Sequence, residues 1–199
     1  MLEFKNVSVS LSDGRSSSPF SLVVQPGEVV CISGVPGSGK SLLLKAVMGL
    51  APLRTGFITV DGEPVDAGSG SFFRRMVSYV PQDLPEYEGT VADIMQSLGR
   101  LQVNAHRKAD RKDVDVAWAQ LQLPSTLYLQ PWKSLTAEQC RLVLLSAAYI
   151  HERPILLVDD PVQNVDVDHF LQAMAARGTE VVYTCAERSL GCQKVITLT

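Results

Sequence analysis

The stretch GVPGSGKS, Gly34 to Ser41, decides how the rest of this sequence is interpreted, because it fits the phosphate-loop pattern GxxxxGKS/T. From average residue usage, on the order of one chain in a hundred of this length would match by chance. The apolar run VVCIS, Val29 to Ser33, precedes the loop, and SLLLKAVMGL follows it with the composition of a helix. The sequence therefore predicts a buried strand, a glycine-rich loop and a helix in succession, which is the context of an anion-binding loop.

Each residue type in this loop has a physical reason to be there. Glycines let successive backbone N–H groups point inward around an anion, and the helix that follows presents its positive end to the same point. Lys40 adds a positive charge for the β- and γ-phosphates of a nucleotide, and the Ser41 hydroxyl can coordinate Mg²⁺. The alternative interpretation is a glycine-rich turn with a solvent-exposed lysine.

An acidic pair supplies a second candidate site at the end of ILLVDD, Ile155 to Asp160. An acid at the carboxyl end of a buried strand lies where ligands bind in open α/β sheets. Asp159 would hold Mg²⁺ directly or through water, and Asp160 would orient or activate the attacking water. Acids that follow strands are also frequent as helix caps, so the pair gains its meaning from the phosphate loop.

The order of elements predicts an α/β fold with a mostly parallel sheet, an N-terminal antiparallel β subdomain and a small helical insertion. Strands are predicted at Leu2 to Ser10, Phe20 to Val24, Val29 to Ser33, Gly56 to Asp61, Met76 to Val80, Ile155 to Val158, Val181 to Thr184 and Val195 to Leu198. Helices are predicted from Ser41 to about Gly49, and at Thr90 to Leu101, Lys112 to Leu121, Thr136 to Ile150 and Asp168 to Arg177.

We predict one domain over residues 1–199, with the helical insertion as a subdomain at about 83–134. The insertion contains the charged stretch HRKADRK, His106 to Lys112, which is either an anion or partner contact or a solvated helix end.

Composition and charge exclude several classes of function. The chain has 199 residues, of which 46% are hydrophobic and 20% charged, with a net charge of −3, so nothing in its overall charge points to nucleic acid. No apolar run approaches the roughly 20 residues that span a bilayer. The start MLEFKNVSVS alternates like a strand rather than a signal peptide. If the protein serves a membrane, we expect it to dock onto another chain.

The four cysteines, Cys31, Cys140, Cys185 and Cys192, show neither CxxC spacing nor a nearby histidine cluster. A zinc site and a disulfide framework are therefore not expected. We expect most of them to be small buried apolar side chains in a reducing cytoplasm, with Cys185 as the exception.

Taken together, these motifs resemble the ATP-binding cassette (ABC) ATPase family, and the resemblance covers nearly the whole chain. Beyond the Walker A loop at Gly34 to Ser41 and the Walker B strand at Ile155 to Asp160, YVPQD places Gln82 at the family's Q-loop glutamine. LTAEQ, Leu135 to Gln139, occupies the position of the LSGGQ signature, and QNVD, Gln163 to Asp166, resembles the D-loop.

The resemblance implies that two cassettes meet head to tail, with each ATP between the Walker A loop of one and the signature of the other. Binding closes this dimer, and hydrolysis and product release reopen it. It also implies ATP and Mg²⁺ as cofactors, a transmembrane permease subunit and a second cassette as partners, no nucleic acid, and a cytoplasmic location on the inner face of the cell membrane.

Carried over residue by residue, the resemblance gives the nucleotide contacts as Gly34, Val35, Pro36, Gly37, Ser38, Gly39, Lys40, Ser41, Leu42, Thr136, Ala137, Glu138, Gln139, Asp166 and Cys185. It gives Ser41, Gln82 and Asp159 as metal ligands, and Asp160, Gln82 and Lys40 as catalytic residues.

Four departures from the family's pattern lie around the nucleotide. Leu11 stands where an aromatic usually stacks on adenine, and Ala137 and Glu138 replace the two signature glycines. Asp160 stands for the catalytic glutamate and is one methylene shorter, while Cys185 stands for the switch histidine and is a weak hydrogen-bond donor. These departures leave two expectations open: modest hydrolysis, or a cassette that binds ATP as a regulatory or structural half.

Two further functions compete with a transporter subunit. A soluble ABC protein of DNA repair or translation usually carries tandem cassettes, a long coiled coil or basic extensions, and this sequence shows none of them. A P-loop kinase would need a lid and an acceptor site. The sequence therefore favours the ATP-binding subunit of a bacterial ABC transporter.

Overall fold

Two separate sheets, one parallel and one antiparallel, organise the computed structural model of this protein, which describes residues 1–105, 110–186 and 191–199. In these ranges the strands are β1 Leu2–Ser8, β2 Phe20–Val24, β3 Val29–Ser33, β4 Thr55–Val60, β5 Glu63–Pro64, β6 Val77–Val80, β7 Ile155–Val158, β8 Glu180–Cys185 and β9 Lys194–Thr197. The helices are α1 Lys40–Val47, α2 Gly70–Phe73, α3 Val91–Arg100, α4 Arg111–Gln120, α5 Ala137–His151 and α6 Val165–Ala176, with short 3₁₀ turns between some of them.

The parallel sheet has the strand order β6-β7-β8-β3-β9. Its central strands are buried on both faces, which explains their continuous apolar sequences. Successive side chains of β3 point to opposite sides, so that Val30 and Ile32 enter one hydrophobic cluster while Val29 and Cys31 enter the other. The predicted α/β fold with a mostly parallel sheet is confirmed.

The antiparallel sheet has the order β2-β1-β4-β5 and covers one side of the parallel sheet. Leu2 and Phe4 of β1 are buried in the same cluster as Leu43 and Leu44 of α1. This cluster fixes α1, and with it the loop that precedes α1, against the antiparallel sheet.

The other side of the parallel sheet is covered by α5, α6 and the helices of the insertion. Trp118 of α4 is buried, and its Nε1 donates a hydrogen bond to Oγ of Ser146 in α5 at 3.0 Å. The insertion is thereby packed onto α5. Its definition as a subdomain at about 83–134 within a single domain stays a prediction.

The charged stretch of the insertion falls partly outside the described residues, since 106–109 are not among them. Of the remainder, Asp110 caps α4 by accepting hydrogen bonds from the backbone N–H groups of Lys112 and Asp113. This is the contact expected at the start of a helix.

Helix α6 begins at Val165, earlier than the predicted start at Asp168. The side chain of Asn164 accepts a hydrogen bond from the backbone N–H of Val167 at 2.8 Å and so caps the helix. The short elements β5 and α2 were not predicted. In the ranges covered by the structure, no helix is long and apolar enough to cross a membrane.

Candidate functional site

A cavity of about 330 Å³ opens at the carboxyl edge of the parallel sheet, where β3, β6, β7 and β8 end. This edge is where ligands bind in open α/β sheets. The cavity is lined by Leu11, Ser12, Pro36, Gly37, Gly39, Lys40, Ser41, Leu42, Gln82, Asp159, Asp160, Thr184 and Ala186. The structure thus brings together most of the predicted phosphate loop, the Q-loop glutamine and both acids.

The loop between β3 and α1 is packed so closely that glycine is required in two places. A Cβ atom at Gly34 would lie 2.9 Å from the backbone oxygen of Leu198. At Gly39, where φ is +93°, it would lie 2.5 Å from Cγ2 of Val9. The loop is therefore packed against Val9 and Leu198 at positions where only glycine leaves enough room.

The positive groups of this loop converge on the cavity. Helix α1 begins at Lys40, and no side chain caps its first N–H groups, so they are available to an anion. The Lys40 ammonium lies over the loop, where it donates hydrogen bonds to the carbonyl oxygens of Gly34 at 2.6 Å and Val35 at 3.0 Å. Among the described residues, the buried hydroxyl of Ser38 has no hydrogen-bond partner, which leaves another donor in the loop.

The first acid, Asp159, is only 3% exposed and is held by two uncharged hydroxyl groups. Oγ1 of Thr184 donates a hydrogen bond to its Oδ1 at 2.7 Å, and the hydroxyl of Tyr79 donates to its Oδ2 at 3.4 Å. Burial, together with the nearby charge of Asp159, raises the pKa of Tyr79, so the phenol stays protonated and keeps its donor.

The second acid, Asp160, has a φ of +55°, in the left-handed region. Its backbone N–H donates a hydrogen bond to Oγ1 of Thr184 at 2.9 Å. Aspartate is one of the few residues besides glycine that adopt this conformation readily. The turn directs the chain out of β7 and leaves Asp160 in the cavity wall.

The remaining ligand candidate is Gln82, which is exposed and follows β6. Its backbone oxygen accepts a hydrogen bond from Nη2 of Arg141 at 3.3 Å. Gln82, Ser41 and Asp159 line one cavity, and their side chains carry oxygen atoms. Oxygen ligands are those that Mg²⁺ prefers. Because the donors of the phosphate loop line the same cavity, the residues present fit a Mg²⁺-bound nucleotide.

The position of Cys185 corrects the expectation that its thiol faces the nucleotide and is the exception among the cysteines. Its side chain is 2% exposed, and its Sγ lies 2.8 Å from Sγ of Cys31 in the core. Adjacent residues of a strand point to opposite sides, so the direction that brings Thr184 to Asp159 takes Cys185 away from the cavity. Only its backbone oxygen takes part, accepting a hydrogen bond from the N–H of Gly34 at 3.2 Å.

The signature and D-loop residues lie outside the cavity of their own chain. Thr136 caps α5 in a reciprocal arrangement with Gln139, which leaves Ala137 and Glu138 exposed in the first turn. Asp166 lies in the first turn of α6, next to Val165, which is 61% exposed. A single chain therefore does not bring these residues to the loop at Gly34 to Ser41.

Thr184 and Tyr79 are the site residues that the sequence analysis missed. Tyr79 begins the stretch YVPQD, in which a role had been assigned to Gln82 alone, and Thr184 had been predicted only as the end of a strand. Each acts through a hydrogen bond between neighbouring strands. The alternation of side chains along β8 was the available signal, since a strand that turns Cys185 into the core presents Thr184 at the site.

Comparison with known proteins agrees with this geometry. The sequence profile of the family described as ABC transporter matches residues 18–163. The chain belongs to the ABC transporter family. Its fold is that of an ATP-binding cassette, and we refer to it below as the cassette.

Similar proteins include the cobalamin import ATP-binding protein BtuD of Halobacterium salinarum, which is 29% identical over 178 residues. That alignment covers 87% of the cassette but only 44% of BtuD, so the cassette spans less than half the length of this curated relative.

Two solved structures show the same fold at lower sequence identity. CbiO1 of Clostridium perfringens, described as part of the ABC transporter complex CbiONQ, is 20% identical with a TM-score of 0.75 and covers 100% of the cassette and 84% of its own chain. The protein MJ0796, a dimer in a post-hydrolysis state with ADP and Pi, is 20% identical to the cassette with a TM-score of 0.80. The match covers 100% of the cassette and 94% of MJ0796.

Proposed function

We propose that the cassette binds Mg-ATP in the cavity at the carboxyl edge of its parallel sheet and hydrolyses it to drive an ABC transporter. The observation that carries the proposal is the convergence of Lys40, Ser41, Gln82, Asp159 and Asp160 on one cavity. Phosphate-binding donors and side chains with oxygen ligands for a divalent cation thus line the same space.

Each group has a role that its chemistry supports. The loop N–H groups and Lys40 bind the β- and γ-phosphates, which they attract by charge and by direct hydrogen bonds. Ser41, Gln82 and Asp159 hold Mg²⁺, which neutralises phosphate charge when bound. Asp160 orients the attacking water and accepts its proton, as a carboxylate within hydrogen-bond reach of the nucleophile does.

A second cassette completes the site in this proposal. The exposed first turn of α5, which carries Ala137 and Glu138, is free to approach the phosphate loop of another chain. Asp166 and the exposed Val165 would lie at the same interface. MJ0796, which has the same fold, forms a dimer, and this supports the pairing of two cassettes.

The family match and the two transporter-associated relatives further support a membrane permease as partner. We place the cassette on the inner face of the cell membrane, since ATP is supplied there. The net charge of −3 gives no support for nucleic acid as a partner.

The proposal is tested by measuring Mg-ATP binding and hydrolysis side by side for the purified chain and two lysine variants. Lys40→Ala removes the charge over the loop, and we expect its kcat to fall by about 100-fold or more, as for loss of a preorganised donor. Lys45→Ala, also on α1 but exposed and outside the cavity, is the matched control and should stay near the wild-type rate.

Each outcome has a definite meaning. Turnover that only Lys40→Ala abolishes supports a working ATPase. Binding without turnover would overturn the hydrolytic part and leave an ATP-binding regulatory or structural half. Absence of ATP binding by the wild-type chain would overturn the proposal as a whole.

A further inference from the structure

One hydroxyl group connects the two acids of the site. Thr184 is fully buried on β8, and its Oγ1 donates to Oδ1 of Asp159 at 2.7 Å. The same oxygen accepts the backbone N–H of Asp160 at 2.9 Å. A hydroxyl carries one proton and two acceptor sites, so its only proton is committed to Asp159 and one of its lone pairs to Asp160.

These contacts fix different properties of the two residues. For Asp159 the contact sets the rotation of the carboxylate, because one oxygen is held by Thr184 and the other by the longer contact from Tyr79, at 3.4 Å. For Asp160 it holds a backbone N–H in a left-handed turn with φ of +55°. A left-handed non-glycine residue persists when its surroundings fix it, and this hydrogen bond contributes that support.

Strand β8 also contacts the phosphate loop directly. The backbone oxygen of Cys185, next to Thr184, accepts the N–H of Gly34 at 3.2 Å. Two consecutive residues of β8 therefore join the start of the loop to both acids. The end of this strand therefore links the position of the acids to the position of the loop.

We propose that Thr184 is a positioning residue that aligns Asp159 for Mg²⁺ and Asp160 for the attacking water. The inference rests on the proposed function, in that Mg-ATP is taken as the ligand. Partners that orient metal ligands in this way contribute substantially to affinity, and their loss typically lowers metal affinity or activity by about 10- to 100-fold.

The test separates metal-dependent binding from binding of the nucleotide alone. The affinity for a fluorescent ATP analogue is measured with Mg²⁺ and again with EDTA, and the ratio of the two gives the gain due to the metal. Thr184→Val removes the hydroxyl with little change in volume, and we expect this gain to fall by about 10-fold or more while the affinity in EDTA is retained. Thr184→Ser keeps the hydroxyl and should show the same gain in affinity from Mg²⁺ as the wild-type chain.

A double-mutant cycle shows whether Thr184 acts through Asp159. Asp159→Asn lowers the gain by itself, and Thr184→Val should then add little in that background. Independent, additive losses would overturn the assignment, as would an unchanged gain in Thr184→Val or an equal loss in Thr184→Ser. If Thr184→Val does not fold, as judged by circular dichroism, the cycle is run with Thr184→Ala.

These outcomes are distinct from failure of the proposed function. The wild-type chain could bind ATP more tightly with Mg²⁺ than with EDTA and still not hydrolyse it. In that case the affinity measurements still test whether Thr184 aligns Asp159 for Mg²⁺. If Mg²⁺ does not raise the affinity of the wild-type chain for the nucleotide, the proposed magnesium site and the positioning role of Thr184 are both overturned.

Discussion

The side chain of Leu11 rests on the phosphate loop at Gly39. A Cβ atom placed on Gly39 would lie 3.0 Å from Cδ2 of Leu11, and Leu11 lines the same cavity as Lys40. A branched aliphatic side chain therefore occupies the place beside the loop where the family resemblance puts an aromatic ring. It offers an apolar surface to a base but no ring to stack on.

We expect Leu11→Tyr to strengthen ATP binding. Stacking of a base on an aromatic side chain is worth roughly 1–3 kcal/mol, which corresponds to a fall in Kd of about 5- to 150-fold. The measurement is calorimetric titration with ATP and, separately, with inorganic tripolyphosphate, whose affinity should not change. Leu50→Tyr, at a leucine 59% exposed and outside the cavity, is the matched control. An equal gain for tripolyphosphate would mean that the ring acts on the loop rather than on the base.

Asp160→Asn tests the role of the second acid. Asparagine tolerates the left-handed backbone at this position, so the variant removes the carboxylate charge without disturbing the turn. Steady-state hydrolysis should show kcat lower by about 10²- to 10⁴-fold, with ATP binding retained. Equal rates for wild type and Asp160→Asn would assign proton transfer to another group.

Substitution of Glu138 tests whether its charge opposes the proposed dimer. Two like charges 4 Å apart repel by about 1 kcal/mol in bulk water and about 4 kcal/mol near a protein surface. In the Asp160→Asn background, Glu138→Gly should therefore lower the Kd of the ATP-bound dimer about tenfold or more, measured by sedimentation. Glu138→Gln should give part of this effect, because it removes the charge but not the side chain.

The control for that experiment is Glu63→Gln, since Glu63 is also exposed but lies on β5 in the antiparallel sheet. A similar shift in this control would show that net charge, rather than the first turn of α5, governs association.

Thiol reactivity tests the orientation of Cys185 without any nucleotide. Cys31, Cys140 and Cys185 are buried, and Cys192 is half-buried. Burial raises the pKa of the Cys31 and Cys140 thiols, which further disfavours the reactive thiolate. We expect one thiol per folded chain to react readily with Ellman's reagent and the other three only after unfolding in guanidinium chloride.

In the same assay, Cys192→Ser should remove the early reaction. If Cys185→Ser removed it instead, the thiol of Cys185 would face the cavity and its placement in the core would be wrong.

Those parts of the fold that depend on local patterns were predictable from the sequence. The continuous apolar runs that became β3 and β7 have the predicted bounds, Val29–Ser33 and Ile155–Val158. The conformation of the phosphate loop was equally predictable, because the loop needs glycine at specific positions and the motif at Gly34 to Ser41 has glycine there. The meeting of this loop with Asp159 follows from one rule, that parallel strands end at a common edge.

The contacts between strands were not predictable in the same way. Which side of β8 faces the cavity depends on its register with β3, where Cys185 pairs with Ser33, and this is set by the packing of the whole sheet. Cys185 stands at a family position whose side chain is expected at the site, but in this strand the side chain points into the core. The hydrogen bonds of Thr184 and Tyr79 to Asp159 were missed for the same reason, since they join residues far apart in the chain.

Side chains along β8 alternate between the two faces of the parallel sheet, so the site depends on the register of this strand. A slip of one residue would exchange its two faces. The hydroxyl of Thr184 would then enter the hydrophobic core, and the thiol of Cys185 would face Asp159 and Asp160. An insertion or deletion within Glu180–Cys185 would therefore disable the nucleotide site more thoroughly than most substitutions in its wall. The length of this strand thus matters to the site although its first four residues, Glu180 to Tyr183, are not among those that line the cavity.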